Sequence, residues 1–180
     1  MSGANTYTGG TLVTAGTLRL NNRTGSATGT GAVKVKAGTL GGKGTIAGAV
    51  AIGTGSGADA FLAPSVGTNQ PATLTLQSTL TFKADSTYTY KLNTNNARAD
   101  QVTANGVTIE SGAQFSFQAV ANKKLTAGSA FTAINNTSAS PIAGAFANLA
   151  DGSTFAIGRN NYQVSYEGDT GNDLTLTVVP

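Results

Sequence analysis

The stretch Ala15-Gly16-Thr17-Leu18 recurs 22 residues later as Ala37-Gly38-Thr39-Leu40, and this repeat decides the fold that we predict. A shorter step lies inside it, because Thr11-Leu12 leads six residues later to Thr17-Leu18, and Thr39-Leu40 leads in the same way to Thr45-Ile46. A constant period of about 20 residues, built from short apolar segments and glycine corners, is typical of a β-solenoid. We therefore expect an all-β chain whose segments stack coil upon coil.

The segments between the glycine corners have the pattern of short strands. In Val33-Lys34-Val35-Lys36 the apolar and charged residues alternate, which predicts a strand with both valines on one face and both lysines on the other. Glycine, threonine, serine and asparagine separate these segments, and they suit tight corners. Paired asparagines at predicted corners are Asn21-Asn22, Asn95-Asn96, Asn135-Asn136 and Asn160-Asn161.

We expect one domain over residues 1–180, divided into three parts. Residues 5–56 form regular short coils, and residues 57–120 form wider coils because their strands are longer and more aromatic. Residues 121–180 form an irregular C-terminal cap, which a stack of strands needs to cover its exposed edges. Within these parts, residues 57–72 are predicted to leave the stack, and residues 143–149 are the one place where a short helical turn is plausible.

The composition excludes several classes of site. The chain has 24 glycines among 180 residues, no cysteine and no histidine. Disulfides, zinc sites of the Cys/His type and Ser-His or Cys-His catalytic dyads are therefore impossible within it. No cofactor is expected, and the stacking of coils must supply the stability.

The charge pattern argues against nucleic acid and membranes as partners. The net charge of +3 arises from only 11 basic and 8 acidic residues. Lys34, Lys36 and Lys43 form a loose basic cluster, which is far sparser than the surface that phosphate binding requires. No apolar run approaches the ~20 residues of a membrane-spanning helix, so we expect no membrane insertion within this chain.

Residues 5–18, which read NTYTGGTLVTAGTL, carry a family resemblance. This stretch resembles the passenger-associated strand repeat of bacterial autotransporters. Residues 162–180 resemble the C-terminal end of related repeat units in large exported proteins, some of which continue from a Val-Pro like Val179-Pro180 into a PEP-CTERM sorting tail.

The resemblance implies a fold and a location. It implies a right-handed parallel β-helix, export across the cell envelope, and an extracellular or cell-surface location. The family shares no catalytic residues, so none can be transferred to this chain. We accordingly expect a piece of a larger exported protein that is not an enzyme, with copies of itself or surface glycans as partners.

Three functional hypotheses follow from the sequence. The preferred one is a structural or adhesive surface module, which would include self-assembly into fibres. The second is a glycan-binding module, and the third is an unusual enzyme acting on polysaccharides.

A calcium site is one candidate at the C-terminal turn. Glu167, Asp169 and Asp173 surround two glycines, and calcium prefers oxygen ligands. Such glycine-aspartate sites normally need stacked copies, and this chain has one. A plain hairpin turn is therefore the preferred interpretation.

Tyr88 and Tyr90 are the candidates for glycan binding. They lie two residues apart on one predicted strand and would form an aromatic stripe on one face. A role in the core is the favoured alternative, because tyrosine rings bury large apolar areas.

Four carboxylates are candidates for acid/base catalysis on a polysaccharide, which requires two of them close together. They are Asp59, Asp85, Asp100 and Glu110. Each sits singly in a polar turn or at a strand end, and Asp100 is predicted to lie in an exposed loop where it could contact Arg98.

Overall fold

The computed structural model describes all residues, Met1–Pro180, and contains 18 strands and no helix. The strands are β1 (Thr11–Val13), β2 (Thr17–Leu20), β3 (Val33–Val35), β4 (Gly38–Gly42), β5 (Thr45–Ile46), β6 (Val50–Ile52), β7 (Ala60–Ala63), β8 (Thr73–Leu76), β9 (Leu80–Phe82), β10 (Ser86–Asn93), β11 (Arg98–Ala99), β12 (Gln101–Ala104), β13 (Val107–Ile109), β14 (Gln114–Val120), β15 (Ala130–Asn136), β16 (Thr154–Ile157), β17 (Asn160–Gly168) and β18 (Asp173–Val179). The prediction of an all-β chain is confirmed.

The strands form three sheets. The first sheet has the order β1-β3-β6-β9-β13. The second has the order β11-β10-β7-β4-β2, with β14 also paired to β10. The third has the order β16-β17-β18-β15-β12-β8-β5.

The chain visits the three sheets in rotation. From β3 to β15, successive main strands enter the first, second and third sheet in turn. Each of them except β5, the first strand of the third sheet, pairs parallel with the strand that occupies the same place one passage earlier. We call one such passage a coil. The 22-residue repeat sets the first register, because Thr17 pairs with Thr39 and Leu18 with Leu40. The predicted parallel stacking of successive segments is therefore present.

The core runs along the axis of the stack and changes in character along it. In the second sheet, one inward column contains Leu40, Leu62, Tyr88 and Phe115 in register. Neighbouring coils thus place larger side chains at equivalent positions toward the C-terminal end. The core is thus filled by progressively larger side chains toward that end.

Glycine is required where one coil lies directly against the next. Gly42 has a φ of 109°, and a Cβ atom on it would overlap the carbonyl oxygen of Leu20 in the preceding coil. Gly41 has no such φ, but a Cβ there would overlap the carbonyl oxygen of Ala63 in the following coil. The backbone itself occupies the space that side chains would need.

Asparagine side chains extend the backbone ladders, although not in the way that the sequence predicted. The Asn22 side chain accepts a hydrogen bond from the backbone N–H of Thr45 at 2.9 Å and donates one to the carbonyl of Gly25 at 2.8 Å. Asn135-Asn136 and Asn160-Asn161 lie within strands β15 and β17 rather than at corners. No asparagine has a positive φ, and the amide groups of Asn22, Asn136 and Asn160 instead bond to the backbone of other segments.

Residues 57–72 remain partly in the stack, contrary to the prediction. Ala60–Ala63 forms β7, which lies between β4 and β10 in the second sheet. Residues 57–59 and 64–72 lie outside the strands, and the second of these segments is a loop that includes both prolines of this region. The alternating burial of β7 places Leu62 in the core, which outweighs the turn-like composition on either side.

The C-terminal end changes from parallel to antiparallel pairing. Strand β18 pairs antiparallel with β15 and β17, and β16 pairs antiparallel with β17. Residues 143–149 contain turns and an isolated bridge but no helix, so the predicted helical turn is wrong. Asn148 completes the last rung of the second sheet, because its side chain both donates to and accepts from the backbone of Phe115 at 2.8 Å.

A buried tyrosine fastens this end to the core. The Tyr166 hydroxyl donates to the carbonyl of Leu149 at 2.9 Å and accepts from the N–H of Phe146 at 3.0 Å. Burial raises the pKa of Tyr166 to about 12, although the hydrogen bond from Phe146 opposes the shift. The hydroxyl therefore stays protonated as a donor.

The structure contains no helix that could span a membrane.

Three glycine-to-alanine variants separate the effects of stacking and backbone conformation. Gly42→Ala should lose about 3 kcal/mol or more of unfolding free energy, because it combines a positive φ with an overlap against the backbone of Leu20. Gly16→Ala has the positive φ but nothing within 4 Å, so about 1 kcal/mol is expected. Gly9→Ala has neither and serves as the control. Urea denaturation gives the order, and equal losses for Gly16 and Gly42 would contradict it.

Candidate functional site

The two tyrosines proposed for glycan binding lie inside the core. Tyr88 and Tyr90 are both 0% exposed, and their rings contact each other and that of Phe115. The Tyr88 hydroxyl donates to the carbonyl of Ala133 at 2.9 Å. The predicted surface stripe is wrong because alternation on β10 points this face inward, and the core alternative is the one observed.

The three calcium candidates are not brought together. Asp173 is buried, and its carboxylate accepts hydrogen bonds from the N–H of Asn136 at 2.6 Å and the hydroxyl of Thr170 at 2.9 Å. Glu167 is exposed near the end of β17, and Asp169 is exposed on the turn that follows it. No group of three or more acidic, histidine or cysteine side chains converges anywhere in the chain. The observed hairpin turn matches the plainer interpretation.

Asp100 is buried rather than exposed, which corrects the sequence prediction. Its carboxylate accepts hydrogen bonds from the Ser65 hydroxyl at 2.7 Å, the Ala72 N–H at 2.8 Å and the Lys91 N–H at 3.1 Å. It makes no ion pair with Arg98. Burial raises the pKa of Asp100, although these three hydrogen bonds oppose the shift.

The Asp100 carboxylate holds the loop of residues 64–72 against the second sheet. Ser65 and Ala72 lie near the two ends of that loop, and both donate hydrogen bonds to the Asp100 carboxylate. The ammonium group of Lys91 donates to the carbonyl of Thr68 at 2.6 Å, between those two ends. Because each carboxylate oxygen is already occupied, the group is committed to holding the loop.

The other three catalytic candidates also stand apart. Asp85 accepts hydrogen bonds at 2.8 Å from the N–H groups of Thr54, Gly55 and Gly57, which lie in the preceding coil. Glu110 forms an ion pair with Lys83 at 2.5 Å, and Asp59 is exposed, with a side chain that makes no hydrogen bond. None of the four candidates lines any of the five main surface depressions.

The hydrogen bonds to Asp85 shift its titration. Burial would raise the pKa of Asp85, but the hydrogen bonds from Gly55, Thr54 and Gly57 outweigh it and hold the pKa well below its usual value. The ionised carboxylate is thus the form that the folded state prefers.

A basic groove is the surface feature that the sequence did not predict. We use this name for the concave strip lined by Arg19, Arg23, Lys43 and Arg98, with Pro71 and Ala72 in its wall. It consists of three adjoining depressions of about 200, 600 and 750 Å³, all of which include Lys43.

The structure divides the predicted cluster of Lys34, Lys36 and Lys43. The first two lie on the outer face of the first sheet, beside Leu12. Lys43 follows β4 at a different corner and meets arginines that are distant in sequence. One signal was available: Lys43 lies two residues after Gly41, which pairs in register with Arg19, so the repeat places both cations near the same end of adjacent strands.

Comparison with known families supports the resemblance. The family model described as passenger-associated-transport-repeat matches residues 1–20, which include residues 5–18 and end with β2. No curated protein and no solved structure matches the chain. The matched segment comprises the first two strands of the stack, so the evidence concerns a passenger repeat and leaves the rest of the chain to be judged on its geometry.

Replacing Asp100 tests its role in holding the loop. Asp100→Asn should lower the unfolding free energy by about 2–3 kcal/mol. The NH2 group of the asparagine would face a buried donor and could not accept its hydrogen bond. Asp169→Asn, on an exposed turn, should change it by less than about 0.5 kcal/mol. Chemical denaturation measures both. Equal effects of the two substitutions, or a loop that stays protected from protease in the Asp100 variant, would argue against this role.

Replacing Asp85 tests its effect on acid stability. Because its folded pKa lies below the ordinary value of 3.8, the ionised group stabilises the fold above that pH, and this contribution is lost as the pH falls below it. Asp85→Asn should therefore be less stable than the parent chain near neutral pH, and the difference should shrink below about pH 4. Denaturation at several pH values measures this, with Asp59→Asn as the pH-matched control. A difference independent of pH would contradict it.

Proposed function

We propose that this chain is a non-catalytic structural module of a larger exported protein, built as a right-handed parallel β-helix. The observation that carries the proposal is the rotation of the chain through three parallel sheets, together with the passenger-repeat match over residues 1–20. A stack of this kind can be lengthened coil by coil without changing its cross-section. It would hold attached parts of the protein away from the cell.

The handedness follows from a general rule of connection. A strand that crosses over to a parallel strand of the same sheet does so in the right-handed sense in nearly all proteins. Every passage from β3 to β6 and from β6 to β9 is such a crossover. A right-handed β-helix is therefore the form that best fits the pairing.

A non-catalytic role is supported by what the carboxylates do. Asp85, Asp100 and Asp173 are each engaged by backbone N–H groups, and Glu110 pairs with Lys83. A glycosidase needs two carboxyl groups facing each other across the scissile bond. Here the acidic groups fasten loops and corners instead, so the enzyme hypothesis has no pair of residues to support it.

An extracellular or cell-surface location follows from the passenger-repeat match as a proposal. Two routes to it are distinguishable. A downstream membrane barrel in the complete protein would indicate autotransport, whereas a short hydrophobic tail after Val179-Pro180 would indicate PEP-CTERM sorting. The low charge of 11% and the absence of cysteine suit either route.

Self-association is a further part of the proposal. Strand β1 lies at one end of its sheet order with Leu12 54% exposed, whereas the outer edges of β2 and β5 are partly paired with Met1 and with residues 22–27. Unpaired strand edges recruit further strands. Another coil of the same protein or a second copy would satisfy them.

Deletion of one coil tests the proposal. The chain is placed between a signal peptide and an autotransporter barrel, and removal of residues 16–37 should leave a folded, surface-displayed, protease-resistant module because Ala15 then meets an equivalent Gly38. Removal of residues 16–26, half a coil, is the control and should expose the segment to protease because it shifts the register. Surface proteolysis and circular dichroism of the purified chains measure the result.

Two outcomes would overturn this proposal. Complete unfolding of the full-coil deletion would show that the coils are not interchangeable units. Retention of the intact chain inside the cell, with the barrel inserted, would show that the module is not compatible with export.

A further inference from the structure

We propose that the basic groove binds a linear polyanionic glycan, one that carries carboxylate or sulfate groups along its length. Four cationic side chains line it, from Arg19 and Arg23 in the first coil to Lys43 in the second and Arg98 beside β10. The choice of a glycan rests on the proposed surface location. The inference that the groove binds an anion does not rest on that location, because it follows from the charges and shape of the groove.

The charges of the groove have no partners within the chain. The single ion pair is Lys83–Glu110, which lies elsewhere, and no side chain of the four basic residues makes a hydrogen bond. No carboxylate lines any of the three depressions. Asp100 lies behind Ala72, but it is buried and occupied by its three donors. A concave surface of one sign concentrates its positive potential on a ligand that enters it.

The arrangement suits an extended ligand. Arg19 pairs in register with Gly41, two residues before Lys43, so these cations belong to adjacent levels of the stack. Levels in a parallel sheet are about 4.8 Å apart. The cations therefore recur along the stack axis, and a linear polymer with repeated anionic groups can meet them in succession, as a single small anion cannot.

The walls of the groove favour sugar over nucleic acid. No aromatic side chain lines it, so unpaired bases would find no stacking platform. The lining instead offers hydroxyl and amide groups from Thr45, Thr68, Gln70 and Asn21. Such groups are suited to sugar hydroxyls.

The far wall of the groove is preorganised. Thr68 and Ala72 belong to the loop that Lys91 and Asp100 hold in place by hydrogen bonds of 2.6 and 2.8 Å. A fixed wall reduces the ordering that binding must bring about. The hydrogen bonds of Asp100 and Lys91 therefore also shape the proposed binding groove.

The test uses the purified chain and two pairs of probes. Heparin and polygalacturonate represent sulfated and carboxylated glycans, while neutral dextran and single-stranded DNA are the comparison ligands. The groove variant is Arg19→Gln/Lys43→Gln/Arg98→Gln. The matched control is Lys34→Gln/Lys36→Gln/Lys123→Gln, which removes the same charge from exposed positions outside the groove. Circular dichroism verifies that both variants fold.

We expect the parent chain to bind at least one anionic glycan at low salt and neutral dextran not at all. The groove variant should bind about 10-fold more weakly or worse, and the control variant within about 3-fold of the parent. Binding should disappear near 1 M salt, because charges are then screened within about 3 Å. The relative affinities of heparin and polygalacturonate identify the anionic group.

Three results would overturn the inference. Absence of binding to both glycans at low salt would show that the groove does not bind polyanionic glycans. Equal losses in the two variants would show that net charge rather than the groove attracts the ligand. Tighter binding of DNA than of either glycan, lost in the groove variant, would assign the groove to nucleic acid. None of these results depends on display at the cell surface, so they are separate from the test of the structural module.

Discussion

The backbone hydrogen bonds that run from each coil to the next are the interaction on which the whole structure depends. They continue beyond the strands, since Lys36 donates to the carbonyl of Val13 at 2.8 Å and Gly42 to that of Pro64 at 2.9 Å. Such spacing leaves no room for a Cβ at the closest contacts, which is why Gly41 and Gly42 stand there. The same ladders fix the register that sends alternate residues inward, and the core is the result.

Where the ladders are interrupted, side chains replace the missing backbone partners. Asn148 pairs with both backbone groups of Phe115 at the C-terminal end, and Asp85 and Asp100 accept from loop N–H groups that have no strand partner. Buried polar groups must be hydrogen-bonded, so these residues are needed wherever the regular stacking of strands is interrupted. Their bonds to the backbone also explain why no three of the chain's carboxylates lie together.

The accuracy of the sequence predictions follows the range of the interactions involved. Strands and corners of the early coils were predictable because alternation and glycine are local signals, as in β3 and the corner at Gly38. The burial of Asp100 was not, since it depends on Ser65 and Ala72, which reach it only after the loop folds back. Tyr88 and Tyr90 show a related limit: their shared face was evident, but which side of the sheet it occupied required the partner sheets.

The sequence by itself determined the all-β class, the 22-residue step and the exclusion of cysteine and histidine chemistry, because these reside in composition and period. Only the tertiary structure decided which charged residues become neighbours. Lys43 was grouped with Lys34 and Lys36 along the chain, yet the turn of the coil carries it to Arg19 and Arg98 instead. In a stacked chain, two residues become neighbours when they occupy similar positions within their coils. Loops of unequal length change those positions, and their effect is determined only when the coils pack.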